Sequence, residues 1–127
     1  MEVLKIKQTE EFPAITLDKD NGVFCIKGES TPENAGRFFT PIINWFKQYH
    51  ENPNEKTVLE FKFKYYNTAT TYMIYEILKI MKRLEEGGKD VMINWYYQEA
   101  DEEIIDQGME FAELIDMEFN FISVEKI

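Results

Sequence analysis

A short polar segment, Asn67–Thr71, carries side chains that could take part in chemistry. It joins an aromatic, strand-like run, FKFKYY, to an apolar helical pattern without an intervening glycine or proline. A single hydroxyl or amide is enough to cap a helix, because it accepts a hydrogen bond from a free N–H group of the first turn. Asn67 or Thr68 is the predicted cap, and the segment holds more polar groups than a cap requires.

The same segment could hold a phosphate group. The N-terminus of a helix favours negative charge, since its first N–H groups lack partners and its dipole is positive there. A phosphate on Thr68 would add about 1.5 to 2 negative charges. Lys62 and Lys64 precede it closely in the chain and could stabilise that charge. The residues alone therefore leave two interpretations open, a helix cap and a phosphorylation site.

Residues for other chemistries are scarce. His50 and Cys25 are the only histidine and cysteine, and Ser30 and Ser123 are the only serines. They lie on separate predicted elements without an activating motif, so a catalytic triad is not expected. Zinc sites need several such ligands, and no glycine-rich phosphate loop is present. We expect no catalytic residue, metal or cofactor, with Cys25 a core residue and His50 at a helix end.

Turn and cap signals define the first half of the chain. Asp20-Asn21-Gly22 lies between two short β-type runs and predicts a hairpin. Ser30 and Glu33 have capping-box spacing and Pro32 suits a first helical turn, so a helix is expected to begin here. Pro41 falls within the apolar repeat of this helix and should kink it.

The spacing of apolar residues predicts the elements of the second half of the chain. The run TVLEFKFKYY alternates and predicts a strand with one buried face, formed by Leu59, Phe61, Phe63 and Tyr65. The next helix should run from about Thr68 to Glu86 and stop at Gly87-Gly88. The run DVMINWYY predicts a strand, Asp101 the cap of a third helix, and EFNFIS a last strand.

The element order β-β-α-β-α-β-α-β predicts an α/β fold with a single mixed β-sheet and helices packed mainly on one face. At 127 residues the chain is too short for two comfortable domains, so we expect residues 1–127 to form one. Because successive side chains of a strand point to opposite faces of the sheet, Tyr96 and Trp95 should lie on opposite faces. Tyr96 is then either an ordinary packing residue or, beside Tyr65 or Tyr66, part of a protein-contact patch.

Acidic residues are concentrated near the C-terminus. The net charge is −10, and residues 90–125 hold eleven acidic residues and no basic one. Nucleic acid and anionic membranes are therefore not expected as partners. The third helix is either a solvated acidic face or a docking surface for a basic partner. One cysteine, no apolar run of membrane-span length and no signal-like N-terminus predict a cytoplasmic protein.

Several stretches together resemble the SiaC family of bacterial regulatory phosphoproteins. They are GESTPEN (28–34), FKFKYYNTAT (61–70) and NWYY (94–97), with the acidic third helix, which contains GMEFAEL, and the closing FNF. Their order and spacing match the family over nearly the whole chain. The resemblance implies a fold related in shape to STAS-type anti-sigma-factor antagonists, and a switch protein that is not an enzyme.

The resemblance also implies residue roles and partners. Thr68 would be phosphorylated by a dedicated threonine kinase and dephosphorylated by a PP2C-type phosphatase. The unphosphorylated form would bind and activate a diguanylate cyclase, promoting biofilm formation. Asn67, Ala69 and Thr70 flank the acceptor. Family members often have serines after the threonine, and the threonine at position 70 here makes Thr70 a rival acceptor.

The leading hypothesis is therefore a phosphorylation-controlled adaptor. Its predicted partner surface comprises Tyr65, Tyr66, Asn67, Thr68, Ala69, Thr70 and Tyr96. A phosphate there would oppose an acidic or apolar pocket of the partner. The alternatives are a constitutive interaction or scaffolding module without covalent regulation and, least favoured, a small enzyme that uses surface carboxylates. The oligomeric state is left open.

Overall fold

In the computed structural model, which describes residues 1–127, the alternating segments form one six-stranded sheet and the helical repeats form three helices. The strands are β1 (Leu4–Ile6), β2 (Ala14–Asp18), β3 (Val23–Ser30), β4 (Lys56–Tyr66), β5 (Asp90–Gln98) and β6 (Phe119–Val124). The helices are α1 (Ala35–Glu51), α2 (Thr68–Glu86) and α3 (Glu102–Ile115). None of these helices is both long and apolar enough to cross a membrane.

The strands lie in the sheet in the order of the chain. β1, β2 and β3 are antiparallel, whereas β3 to β6 are parallel and are connected by α1, α2 and α3 in turn. Such crossovers are right-handed, and here all of them step in the same direction, so the three helices share one face. The predicted α/β class and single mixed sheet are confirmed. The element order is longer by one strand, because β1 has only three residues and its alternation is too short to be recognised as a strand.

The core between the sheet and the helices is centred on Trp95. Its side chain is fully buried and contacts the rings of Phe61 and Phe111, with centroid distances of 5.5 and 5.7 Å. Its indole N–H donates to the carbonyl of Ile104 at 2.9 Å, so the polar edge of the ring is satisfied inside the core. Gly108 of α3 makes this approach possible, because the indole occupies the space of a side chain.

The start of α1 differs from the predicted capping box. Asn34 caps the helix by accepting from the N–H of Arg37 at 3.0 Å. Ser30 is instead the buried last residue of β3, so its pairing with Glu33 as a capping box is wrong. Pro41 lies within α1, and the helix continues beyond it as far as Glu51.

One irregularity in β4 decides which tyrosine is exposed. Gly28 of β3 pairs with Phe63 of β4, but the next residue, Glu29, pairs with Tyr65, so Lys64 of β4 has no partner. An extra residue reverses the alternation beyond it. Tyr66 therefore faces the core and is 5% exposed, whereas Tyr65 is 48% exposed. The prediction that Tyr65 lies on the buried face is wrong for this reason.

The contact between Gly108 and Trp95 yields a stability prediction. A Cβ at position 108 would lie 2.5 Å from the indole nitrogen, so Gly108→Ala should destabilise the fold by about 1–3 kcal/mol through overpacking. Gly36→Ala is the matched control, because only Asn34 lies near its Cβ, at 3.6 Å. It should stabilise the fold by about 0.4–1 kcal/mol. Urea unfolding of both variants gives the comparison, and a Gly108→Ala variant as stable as wild type would contradict this packing.

Candidate functional site

Asn67 fixes the N-terminus of α2 in place. Its side-chain carbonyl accepts from the N–H of Thr70 at 3.0 Å and from the Thr70 hydroxyl at 2.7 Å. Its amide group donates to the carbonyl of Pro32 at 3.1 Å, and its backbone N–H donates to the carbonyl of Ser30 at 2.9 Å. Asn67 is thus the cap, and it also ties α2 to the end of β3 and to the loop before α1.

Thr70 belongs to the interior of this junction. Its side chain is fully buried, and its hydroxyl lies 2.8 Å from the hydroxyl of Ser30. Together with the hydrogen bond to Asn67, this contact forms a network of three polar side chains, of which Ser30 and Thr70 are fully buried. A kinase cannot reach the hydroxyl in this conformation, which argues against Thr70 as the rival acceptor.

Thr68 occupies a different environment. It is the first residue of α2, it is exposed, and its hydroxyl makes no hydrogen bond to the protein. The first turn of α2 contains no acidic residue, whereas that of α3 contains Glu102 and Glu103. The positive end of the α2 dipole is therefore not compensated by a carboxylate of its own first turn, and an added negative charge would be favoured there.

The two lysines expected near this site have different surroundings. Lys62 forms an ion pair with Glu60 at 3.7 Å, and its ammonium lies 4.7 Å from the ring centre of Tyr96. Lys64 is exposed and forms no ion pair. Lys62 already has partners, so Lys64 is the better candidate to stabilise a charge at Thr68.

The predicted partner surface is only partly assembled. Tyr65, Thr68 and Ala69 are exposed and Asn67 is half-buried, so these four adjoining residues can form a surface. Tyr66 is not part of this surface, because its side chain is buried on the face of the sheet that the helices cover.

Tyr96 lies on the opposite, open face of the sheet. Its hydroxyl donates to the carboxylate of Glu60 at 2.8 Å, and this hydrogen bond raises the pKa of Tyr96. Its ring makes no aromatic contact with Tyr65 or Tyr66, so the expected patch that combines Tyr96 with Tyr66 is wrong. The extra residue in β4 is the physical reason, because it turns Tyr66 toward the core.

The residues considered for catalysis and metal binding remain apart. His50 is exposed in the last turn of α1. Cys25 lies half-buried on the open face of the sheet, not in the core as expected, and burial raises the pKa of its thiol. No group of three or more histidine, cysteine, aspartate or glutamate side chains could hold a metal ion.

Ser30 is the residue of the site that sequence reasoning misassigned. It is separated from Thr70 by forty positions, and only the parallel pairing of β3 with β4 brings the two hydroxyls together. Its local context, a serine three residues before a glutamate and near a proline, is typical of a helix cap. No signal within either segment indicates the contact.

Comparison with known proteins identifies the family of this chain. The model of the SiaC family regulatory phosphoproteins matches residues 6–124. The chain belongs to the SiaC family. A relative in Pseudomonas aeruginosa (strain UCBPP-PA14), an uncharacterized protein, is 29% identical over 113 residues, which are 89% of this chain and 90% of the relative.

Solved structures of SiaC share the fold. SiaC of Pseudomonas aeruginosa is 28% identical and superimposes with a TM-score of 0.84, covering 98% of this chain and 100% of that one. A second match is the crystal structure of the diguanylate cyclase SiaD in complex with its activator SiaC, also from Pseudomonas aeruginosa. It has a TM-score of 0.87 at 26% identity, and covers 95% of this chain and 99% of that one. The resemblance seen in the sequence is confirmed.

The junction around Asn67 predicts different effects for two neighbouring substitutions. Asn67→Ala removes the cap and leaves the buried Thr70 hydroxyl with fewer partners, so it should destabilise the fold by about 1–2 kcal/mol or more. Thr68→Ala removes an exposed hydroxyl without a partner and should change stability by less than about 0.5 kcal/mol. Thermal and urea unfolding measure both. Equal losses in the two variants would refute the assignment of Asn67 as the cap.

Proposed function

We propose that this SiaC-family protein is a non-enzymatic signalling switch whose state is set by reversible phosphorylation of Thr68. One observation carries the proposal. Thr68 is exposed at the N-terminus of a helix whose first turn contains no acidic residue, and its hydroxyl makes no hydrogen bond to the protein. The rival hydroxyl of Thr70 is buried and hydrogen-bonded to two side chains, which supports Thr68 as the acceptor.

Local electrostatics support a phosphate at this position. Free N–H groups and the dipole at the start of α2 would stabilise the phosphate. Lys64 is exposed and forms no ion pair with a carboxylate, so its charge is available to the phosphate as well. Beneath it, Asn67 holds the first turn through contacts that do not involve the Thr68 side chain. The modification would therefore change the charge of the surface and leave the fold intact.

The partner is proposed from the solved relative. SiaC of Pseudomonas aeruginosa is the activator of the diguanylate cyclase SiaD, and the two form a complex. By similarity, we assign this chain a diguanylate cyclase as partner and a role in biofilm control through cyclic di-GMP. A threonine kinase and a PP2C-type phosphatase would set its state. The unphosphorylated form would bind the cyclase.

The charge of the phosphate explains how the switch would operate. The residues that adjoin Thr68 in the chain and are not fully buried, Tyr65, Asn67 and Ala69, are uncharged, so the unmodified surface suits an apolar or acidic pocket of the partner. A phosphate would be repelled by an acidic pocket, and in an apolar pocket it would lose its hydration without compensation. A difference of about 1.4 kcal/mol between the two states already changes the affinity tenfold.

Thr68→Ala tests the switch directly. Under phosphorylating conditions the wild type should lose affinity for the diguanylate cyclase by more than about tenfold, because each 1.4 kcal/mol is a factor of ten. The alanine variant should retain its affinity, and Thr40→Ala, at an exposed threonine of α1, should behave as wild type. Mass spectrometry of the chain from its host in several growth states locates the phosphate. Thr68 unmodified throughout, with binding indifferent to kinase treatment, would favour a constitutive interaction module.

The position of Thr68 at the helix end also predicts a gain in stability. Thr68→Glu places a carboxylate in the first turn of α2 and should stabilise the fold by about 0.3–1 kcal/mol at low ionic strength. Gln48→Glu, in the last turn of α1, makes the same charge change at the negative end of a helix and should give no gain. Urea unfolding in low and high salt measures both. A Thr68→Glu variant less stable than wild type in low salt would contradict the proposed charge–dipole interaction.

A further inference from the structure

A groove between α2 and α3 is not used by the proposed phosphorylation of Thr68. Its volume is about 270 Å³, and it is lined by Tyr66, Thr71, Gln107, Glu110, Phe111 and Leu114. No side-chain hydrogen bond or ion pair joins the two helices within it. The polar link between these elements is at the other end, where Lys82 donates to the carbonyl of Asp116 at 2.7 Å. The groove is therefore open on the side where α2 begins.

The hydroxyl of Tyr66 has no hydrogen-bond partner. The ring packs against Phe63 and Trp95, with centroid distances of 5.0 and 6.4 Å, and the hydroxyl is buried among the residues that line the groove. Buried polar groups almost always have partners, so this hydroxyl marks a place where one is missing. Burial, and then the carboxylates of Glu103 and Glu110, raise the pKa of Tyr66, which keeps the hydroxyl protonated and able to donate.

The groove combines an apolar wall with negative charge. Leu114 is 66% exposed although it lies beside the buried Phe111, so it is available as an apolar contact. Glu110 lines the groove, and Glu103 lies on the same helix. None of the acidic side chains of α3 forms an ion pair, and residues 90–125 contain no basic residue. The charge of the groove is therefore not neutralised within the chain.

We propose that this groove docks a basic amphipathic segment of a partner protein. An apolar side chain of the segment would pack on Leu114, and a backbone carbonyl would accept from the Tyr66 hydroxyl. Lysine or arginine side chains would pair with Glu110 and Glu103. A second copy of this chain fits poorly, because it would bring another acidic surface against the groove. The proposal does not depend on phosphorylation of Thr68.

A designed helical peptide of leucine and lysine, with the leucines on one face, is a suitable probe. Titrated into the ¹⁵N-labelled full-length chain, it should shift the amide signals of the groove residues and leave those of the open sheet face unchanged. Its affinity is measured by fluorescence anisotropy at physiological salt. A peptide with the same leucines and with glutamates in place of the lysines should not bind, and equal binding of the two peptides would overturn the proposal.

Two charge reversals on α3 separate the groove from general acidity. Glu110→Lys should weaken peptide binding by about tenfold, because it places a cation within the groove. Glu113→Lys makes the same change of charge on the same helix but outside the groove, and Glu113 is exposed like Glu110. It should weaken binding by less than about threefold. Equal losses, with signals shifted over the outer face of α3, would show attraction to surface charge alone and overturn the proposal.

Tyr66→Phe tests the unpaired hydroxyl. The variant keeps the ring packing and removes a group that has no partner in the free chain, so its unfolding temperature should not fall. Peptide affinity should fall by about threefold, since the phenyl ring cannot donate to the carbonyl. Undiminished affinity in Tyr66→Phe would overturn the assigned hydrogen bond. Concentration-dependent shifts of the groove signals without peptide would instead assign the groove to a second copy of the chain.

Discussion

The arrangement of the site depends on the side chain of Asn67. β3 and β4 are parallel neighbours, so both end at the same edge of the sheet, and α2 begins directly after β4. Both halves of the Asn67 amide are used at this edge, one to cap α2 and the other to hold the loop before α1. The start of α2 is thus fixed to the sheet by a residue next to Thr68. Under the proposal above, a phosphate would change the charge at Thr68 while its neighbour maintains the structure, which is what a surface switch requires.

A single unpaired residue in β4 determines the character of two surfaces. Because Lys64 has no partner in β3, the alternation reverses and Tyr65 becomes exposed next to the phosphorylation site proposed above. The same reversal turns Tyr66 toward Trp95 and places its hydroxyl at the groove between α2 and α3. Without the extra residue the two tyrosines would exchange environments. The bulge therefore links strand pairing, which stabilises the sheet, to the chemistry that each surface presents.

Most local signals in the sequence were reliable, with the exception of the Ser30–Glu33 capping box, whereas contacts between distant segments could not be predicted. The bounds of α2, its stop at Gly87 and the Asp101 cap of α3 follow from neighbouring residues, and the structure confirms them. The burial of Tyr66 depends on how β4 pairs with β3, and the role of Ser30 depends on a contact forty positions away. The position of Thr68 at the start of α2 could be predicted because helix capping is a local property. The family resemblance pointed to Thr68 over Thr70, and only the structure shows the burial of Thr70.

The two helix N-termini at this end of the molecule differ in charge, and the difference has a consequence for regulation. α3 begins with its own carboxylates, whereas α2 begins with none and has Thr68 in that place. Under the two proposals, a phosphate on Thr68 would add negative charge beside a neutral surface and near the acidic groove that Thr71, one turn away, helps to line. It would disfavour an acidic or apolar partner at the surface around Thr68 and attract a basic segment at the groove. One modification could then release one partner and retain another, through electrostatics alone and without a change of fold.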